Sequence, residues 1–283
     1  MPAFPARTTL ADDYPNPSNA VFKEGIGEFY DATKGVLGAA ATPASARDGI
    51  GIGPVISFRN LLINGNFAIN QRNYASGAAT TGANQYTLDR WRIPTTGQNA
   101  TFGAAGPDRT VTFPASGGEQ VIEGASIVGG IYTLSWTGAA TATVNGVAIT
   151  NGGNTASLTP GANVTVKFVG AVGLAQFELG TVATPFERRH PGLELSLCQR
   201  YYETGTMQDG SYAVGGTTIT KRIGFRVTKR VVPTLGTPTS ISESNANGTT
   251  TSTATADSLA HVYAVTATGQ GNSSATWTAI AEL

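Results

Sequence analysis

The sequence predicts a mainly β protein, and three observations lead to that fold class. Charged residues make up only 13% of the chain, while glycine contributes 36 of its 283 residues. Threonine and valine favour half-buried strands, and glycine and asparagine favour the turns that join them. Asn-Gly pairs, which tolerate the positive φ of tight turns, recur at 64–65, 145–146 and 151–152. Apolar and polar residues also alternate over short stretches, which is typical of strands with one buried face.

Residues 1–56 are predicted to form an arm, a helix and a linker that attach the chain to a partner. Four prolines in the first 17 residues favour an extended arm, because proline fixes φ and lacks the backbone donor. Apolar residues at three-to-four spacing predict a helix from Ser18 to Leu37, which is too short to be stable alone. Glycines then interrupt residues 38–56, so we place a domain boundary near Ser57.

Residues 57–190 are predicted to form a jelly-roll-like β-sandwich. The segment TATVNGVAIT (141–150) predicts a two-residue hairpin. Short strands between turn signals are typical of sandwiches and jelly rolls. Alternating apolar rows occur at Tyr132-Leu134-Trp136, Val164-Val166-Phe168 and Ala175-Phe177-Leu179, with Val111 and Phe113 as a shorter instance.

Residues 191–283 are predicted to form a helix followed by a smaller β domain. Leu193, Leu197 and Tyr201 share one helical face over residues 192–203, and Pro191 suits the helix start. The segments KRIGFRVTKR (221–230), HVYAVTATG (261–269) and TWTAIAEL (276–283) predict strands. Residues 237–256 fit either a disordered loop or a long polar hairpin turning near Asn247-Gly248, and their threonine content favours the hairpin.

Composition excludes several classes of function. The 18 basic and 18 acidic residues give a net charge of +0, which disfavours nucleic-acid binding and docking on anionic membranes. No apolar run approaches the roughly 20 residues of a membrane-spanning helix, and the first residues lack the apolar stretch of a signal peptide. Cys198 is the single cysteine, and two histidines, His190 and His261, are too few for a typical zinc site.

Several conspicuous side chains are predicted to be structural. We expect Trp91, between Leu88 and Ile93, to be buried, with Asp89 pairing Arg90 or Arg92 at the rim. Core or interface positions are expected for four more residues, namely Tyr132, Trp136, Trp277 and Cys198.

One loop carries the candidate binding residues. Tyr74 and Tyr86 flank a flexible, glycine-rich loop that also holds Asn73, Asn84 and Gln85. Aromatic faces can stack on sugars while amides bind hydroxyl groups, so these five residues are the predicted carbohydrate contacts. The simpler interpretation, loop tyrosines without a ligand, stays open.

No catalytic residue, metal or cofactor is predicted. Glu119 and Glu123 are the one carboxylate pair tested for glycan cleavage, and their context favours a strand or turn. The glycines at 49–53 lack the lysine of a phosphate loop, and the basic residues 188–190 suit a solvated turn or a subunit salt bridge.

Four segments in order resemble structural proteins of tailed phages and of gene transfer agents, including tail fibres and head spikes. They are NLLINGNFAINQR (60–72), YTLDRW (86–91), LAQFELGTVATPFERR (174–189) and LCQRYYE (197–203). Residues 11–38 resemble an attachment segment of the same group, and TAIAEL resembles a closing strand. The opening NLLINGNF also resembles the first strand of jelly-roll carbohydrate-binding modules, in which an acidic residue helps bind calcium. Asn66 replaces that acid here, which leaves calcium binding open.

The resemblance implies a virion fibre or spike component, assembled in the host cytoplasm, that binds host surface polysaccharide. The alternative is a structural adaptor that mounts a separate adhesin. Other capsid, portal-end or fibre proteins are the implied partners, with self-association as a trimer or pentamer. The position on the head or the tail stays open.

Overall fold

The computed structural model describes residues 58–252 and 254–283, which form antiparallel β-sheets and one α-helix. The mainly β fold class predicted from the sequence is confirmed. The arm, the helix at Ser18–Leu37 and the linker with its glycines at 49, 51 and 53 lie outside the described residues. The division of the chain at 57 and 190 stays a prediction.

The first β region contains a nine-stranded network in the order β1-β2-β4-β9-β5-β8, with β3 on β4 and β6 between β7 and β9. A 3-10 turn at Gly124–Ser126 follows β4. The strands are β1 Gln85–Tyr86, β2 Arg92–Ile93, β3 Thr101–Phe102, β4 Val111–Ile122, β5 Tyr132–Thr137, β6 Thr141–Val144, β7 Val147–Ile149, β8 Gly153–Asn154 and β9 Val164–Leu179.

Strand β9 pairs with different strands in its two halves. Its first half pairs with β4 and β6, and its second half pairs with β5. Four even-numbered side chains face the core in the first half, namely Val164, Val166, Phe168 and Val172. In the second half the core side chains are the odd-numbered Ala175 and Phe177. The switch occurs at Leu174, whose φ of 45° marks an irregularity that turns the side chains over. The two alternating rows of the sequence therefore belong to one bent strand.

The core of the first region is aromatic. Trp91 is fully buried, and its ring lies 5.0 Å from Phe67 and 5.9 Å from Phe168. Tyr132 stacks on Phe177 at 5.0 Å. The predicted burial of Trp91, Tyr132 and Trp136 is confirmed. The predicted hairpin at 141–150 is confirmed as well, with φ of 50° at Asn145 and 81° at Gly146.

The NLLINGNF segment forms turns, so its expected resemblance to a first strand is wrong for this chain. Asn64 has a φ of 58° and is fully buried. Its side chain binds the backbone of Ile69 in both directions and donates to the carbonyl of Asp89 at 3.0 Å. These bonds replace a strand ladder, because an asparagine in the left-handed region cannot continue an extended chain.

The expected pairing of Asp89 at the rim is also wrong. Asp89 is fully buried and accepts hydrogen bonds from the backbone and side chain of Gln71 at 2.6 and 2.7 Å. Burial is the main influence on its carboxyl and raises its pKa, against the effect of the Gln71 bonds. Arg92 instead pairs with Glu119 at 2.8 Å. Arg90, with a φ of 69°, turns toward Glu282, far away in sequence.

The second β region follows helix α1 (Pro191–Gln199), which is shorter than the predicted 192–203 because the chain becomes extended at Tyr202. Cys198 is fully buried there, as expected, and burial raises the pKa of its thiol well above the usual value. One sheet has the order β10-β16-β12 with β13 on β16, and the other is β11-β15-β14. The strands are β10 Tyr202–Ala213, β11 Thr218–Gly224, β12 Thr234–Leu235, β13 Thr239–Ser244, β14 Ala246–Ser252, β15 Ser258–Val265 and β16 Gly269–Ile280.

The second core forms around Trp277, whose ring lies 5.5 Å from Phe225. The predicted strands at 261–269 and 276–283 are present as parts of β15 and β16. The predicted strand at 221–230 ends at Gly224, because the next residues bring the Lys229 ammonium inward to a buried ion pair with Glu203.

The polar stretch 237–256 does not form the predicted hairpin. Strand β13 pairs with β16, whereas β14 pairs with β15, so the chain crosses from one sheet to the other. The crossing occurs at Asn245, which has a φ of 49° and binds the backbone of Ala267 at 2.8 and 2.9 Å. Position 253 of this stretch lies outside the described residues.

A buried polar chain links the two sheets of the second region. The His261 Nε2 atom lies 2.9 Å from the hydroxyl of Ser273, which lies 2.6 Å from the hydroxyl of Thr249. Burial lowers the pKa of His261 below its ordinary 6.5, and the nearby Asp209 carboxylate opposes this effect.

We expect acidification from pH 7.5 toward 5 to lower the free energy of unfolding through His261. The unfolded chain takes up a proton near pH 6.5, whereas the folded chain resists protonation until a lower pH. Urea unfolding of the full chain should show this loss, and His261→Gln should show a smaller one. Equal pH dependence of the two proteins would contradict the assignment.

Candidate functional site

A groove of about 420 Å³ lies where the loop before β1 meets the edge of the β10–β16 sheet. It is open to solvent and lined by side chains from both β regions. Its lining residues are Arg72, Tyr74, Gln85, Tyr86, Tyr202, Thr278 and Ile280. The structure thus brings together three of the five residues predicted from the sequence, namely Tyr74, Gln85 and Tyr86.

The groove exists because Glu282 joins the two regions. Its carboxylate accepts a hydrogen bond from Arg72 at 2.8 Å and forms a second ion pair with Arg90. The Glu282 side chain is 5% exposed and that of Arg90 is 1% exposed. Buried charges of this kind are tolerated only when they are paired, so the contact fixes the position of the 281–283 segment.

Main-chain hydrogen bonds hold the same segment on both sides. The Leu283 main-chain oxygen accepts from the Tyr86 hydroxyl and from the Arg92 guanidinium, each at 2.7 Å. The Ala281 amide donates to the Tyr201 carbonyl at 2.7 Å. Hydrogen bonds therefore connect this segment to the first region through Tyr86 and Arg92. A further hydrogen bond to Tyr201 connects it to the residue that precedes β10.

Arg72 packs in the groove between two aromatic rings. Its guanidinium carbon lies 3.7 Å from the ring centre of Tyr202 and 5.1 Å from that of Tyr86. This stacking is a cation–π arrangement, and the same guanidinium pairs with Glu282. Arg72 thus shares the Glu282 carboxylate with Arg90, and its guanidinium lies against the rings of both tyrosines.

The hydroxyl groups of Tyr74 and Tyr86 are occupied by the protein. Tyr74 donates to the Ala78 carbonyl and accepts from the Ala100 amide at 3.1 Å, which pins the glycine-rich loop. Burial raises the pKa of both phenols, so they stay protonated at neutral pH. Because their hydroxyls are used internally, these two residues can offer a ligand mainly their ring surfaces.

Gln85 orders the other end of the loop. Its Oε1 atom accepts from the Thr81 amide at 2.7 Å, the Thr81 hydroxyl at 3.1 Å and the Gly82 amide at 3.3 Å. Its Nε2 group makes no hydrogen bond within residues 58–252 and 254–283 and remains a donor beside the groove.

Tyr202 differs from the other two tyrosines of the groove. It is only 7% exposed, yet its hydroxyl forms no hydrogen bond to any residue that the structure describes. Burial raises the pKa of this phenol, so it is a protonated donor at neutral pH. The Tyr202 hydroxyl is not among the buried polar atoms that lack a partner, so it is accessible to solvent in the groove and can donate to a polar ligand group.

Asn73 and Asn84 lie outside the groove. Both are exposed and have φ values of 51° and 53°, so their role is to turn the backbone. Sequence reasoning missed Arg72, Tyr202, Thr278 and Ile280. The Tyr201-Tyr202 pair was visible in LCQRYYE, but the helical interpretation placed it inside a helix and away from the loop.

The carboxylates considered for glycan cleavage are engaged elsewhere. Glu119 pairs with Arg92, while Glu123 pairs with Arg200 and accepts from the Tyr201 hydroxyl at 3.0 Å. The basic residues 188–190 serve structural roles: Arg188 pairs with Asp108, Arg189 with Glu194, and His190 caps α1. Among the residues described, no group of three or more His, Cys, Asp or Glu side chains is placed to hold a metal ion. The described α-helix is too short to span a membrane.

Comparison with known proteins identifies no family. No family model matches the chain, and no curated protein matches it. Among solved structures, discoidin II of Dictyostelium discoideum is similar over 84% of this chain and 98% of its own, with 7% identity and a TM-score of 0.24. A likeness at that level carries no argument about family or function.

We expect loss of the hydroxyl to destabilise the protein at Tyr86 but not at Tyr202. Tyr86→Phe removes a hydrogen bond to Leu283 and should lower the free energy of unfolding by about 1 kcal/mol. Tyr202→Phe removes a hydroxyl without a described partner and should leave stability unchanged. Urea unfolding of the two variants measures the difference, and an equal loss in both would show that Tyr202 is structurally bonded.

Proposed function

We propose that this chain is a polysaccharide-binding component of a phage-like virion and that the groove around Tyr202 is its sugar site. The observation that carries the proposal is the convergence of three tyrosines and an amide donor in one open groove, where the Tyr202 hydroxyl is bonded to no residue that the structure describes. Sugars present apolar ring faces and many hydroxyl groups, and such a groove matches both features.

Some groove residues would stack on a sugar ring, and others would donate hydrogen bonds to it. Tyr74 and Tyr86 offer ring surfaces for stacking, since their hydroxyls are already bonded to the backbone. Tyr202 and the Nε2 group of Gln85 offer hydrogen-bond donors. Arg72 is held in place by its ion pair with Glu282 and by stacking on Tyr202. The site therefore offers ring faces and neutral hydrogen-bond donors to a polar ligand.

We propose a binding role without catalysis. Glycan cleavage needs two carboxyl groups flanking a bond, and both Glu119 and Glu123 are held in ion pairs. No carboxylate lines the groove in the described part of the chain.

The virion role rests on the four sequence segments that resemble phage structural proteins. In that setting, other virion proteins are the partners, and residues 1–56 provide the attachment. Self-association as a trimer or pentamer would present several grooves at once, and multivalency would strengthen weak binding at each site. Tyr212, which is 78% exposed in the second β region, favours a receptor-facing protein over an adaptor with an inert surface.

The test is adsorption of the full-length protein to immobilised bacterial surface polysaccharides. Tyr202→Phe should weaken binding about two- to tenfold, the value of one hydrogen bond. Asn73→Gly and Asn84→Gly are matched controls, because they remove exposed amides outside the groove at positions where glycine tolerates the positive φ.

Unchanged adsorption by Tyr202→Phe would remove the groove as the binding site. Failure of the wild-type protein to adsorb to any polysaccharide would favour the adaptor. Antibody labelling of phage-like particles in the electron microscope tests the virion role separately, and unlabelled particles would contradict it.

A further inference from the structure

The groove opens onto the solvent face of the β10–β16 sheet. In antiparallel register, Tyr202 lies opposite Ile280 and Tyr212 lies opposite Gln270, so the even-numbered residues of both strands share one face. The odd-numbered residues, including Met207 and Trp277, point into the second core. Tyr202, Thr278 and Ile280 belong both to this face and to the groove lining.

This face carries no charged side chain along β10 and β16. Between the two ends it presents threonine, serine, glutamine and asparagine, with pairs such as Thr206–Thr276 and Gln208–Ser274. The neighbouring strand β13 extends it with Thr239 and Ser242. The face is thus a continuous array of hydroxyl and amide groups.

An exposed aromatic ring stands at the far end. Tyr212 is the most exposed large apolar side chain in the described residues, at 78%. It lies ten residue steps along β10 from Tyr202, which corresponds to about 34 Å of extended strand. The face therefore begins at the aromatic groove and ends at an aromatic ring, with uncharged polar groups between.

We infer that the sugar site extends from the groove along β10 and β16 to Tyr212 and takes a neutral polysaccharide chain spanning several sugars. This inference rests on the proposed function and names the ligand class. An acidic polysaccharide would need free cations along the face, whereas the even-numbered residues of β10 and β16 include no lysine or arginine. A neutral chain can satisfy the hydroxyl and amide rows without burying a charge.

The test compares long and short ligands. Purified neutral bacterial O-polysaccharides are cleaved into disaccharides and into fragments long enough to span the face, and both are titrated against the full-length protein. Tyr212→Ala should weaken binding of the long fragments about threefold or more and leave disaccharide binding unchanged. Val147→Ala, which truncates a side chain 65% exposed on the β6–β7 hairpin, should change neither.

The outcomes separate the two proposals. One outcome supports the groove as the sugar site but contradicts its extension to Tyr212. In that outcome the wild-type protein binds long and short fragments equally, Tyr202→Phe weakens both, and Tyr212→Ala weakens neither. If the wild-type protein binds neither fragment, both proposals are wrong. If Tyr212→Ala breaks up a self-associated form in sedimentation, a second copy of this chain occupies the face, and the inference is overturned.

Discussion

The buried carboxylate of Glu282 is the interaction on which the arrangement of the two β regions depends. It forms ion pairs with Arg90, which is almost fully buried, and with Arg72, which stacks on Tyr202. Without that charge, two arginines would remain desolvated and unpaired at the boundary, a state that is costly in a protein interior. The same contact sets the 281–283 segment beside Tyr86 and Arg92. The groove is therefore a consequence of how the two sheets are joined.

Hydrogen bonds within the loop before β1 order one wall of the groove, which bears on the entropic cost of the proposed binding. The loop between Tyr74 and Tyr86 is rich in glycine and alanine, and its sequence suggests a flexible segment that would lose entropy on binding a ligand. In the structure, the Tyr74 hydroxyl and the Gln85 side chain bind the loop backbone at both ends. Much of the ordering is thus achieved during folding, which lowers the entropic cost of binding. Neither loop end uses the hydroxyl of Tyr202, which forms no hydrogen bond to a described residue.

Local patterns predicted the strands well, and they failed where distant residues decide the structure. The rows at 164–168 and 175–179 and the hairpin at Asn145-Gly146 follow from alternation and turn chemistry alone. Nothing near Arg90 indicates that its partner is Glu282, because the ion pair joins residues 192 positions apart. Tyr74, Gln85 and Tyr86 could be proposed from their loop, whereas Tyr202 and Thr278 reach the groove only through the β10–β16 register.

Hydrogen–deuterium exchange of Glu282→Gln in the full chain tests this account most directly. We expect amides at 85–93 and 281–283 to exchange about 100- to 5,000-fold faster than in the wild type, since breaking a buried ion pair costs about 3–5 kcal/mol. The β4–β9 pairs, held by the first core, should keep their protection. Asp108→Asn, which breaks the exposed pair with Arg188, is the control and should leave exchange in both segments unchanged. Wild-type protection at 85–93 and 281–283 in Glu282→Gln would contradict the claim that Glu282 holds the two regions together.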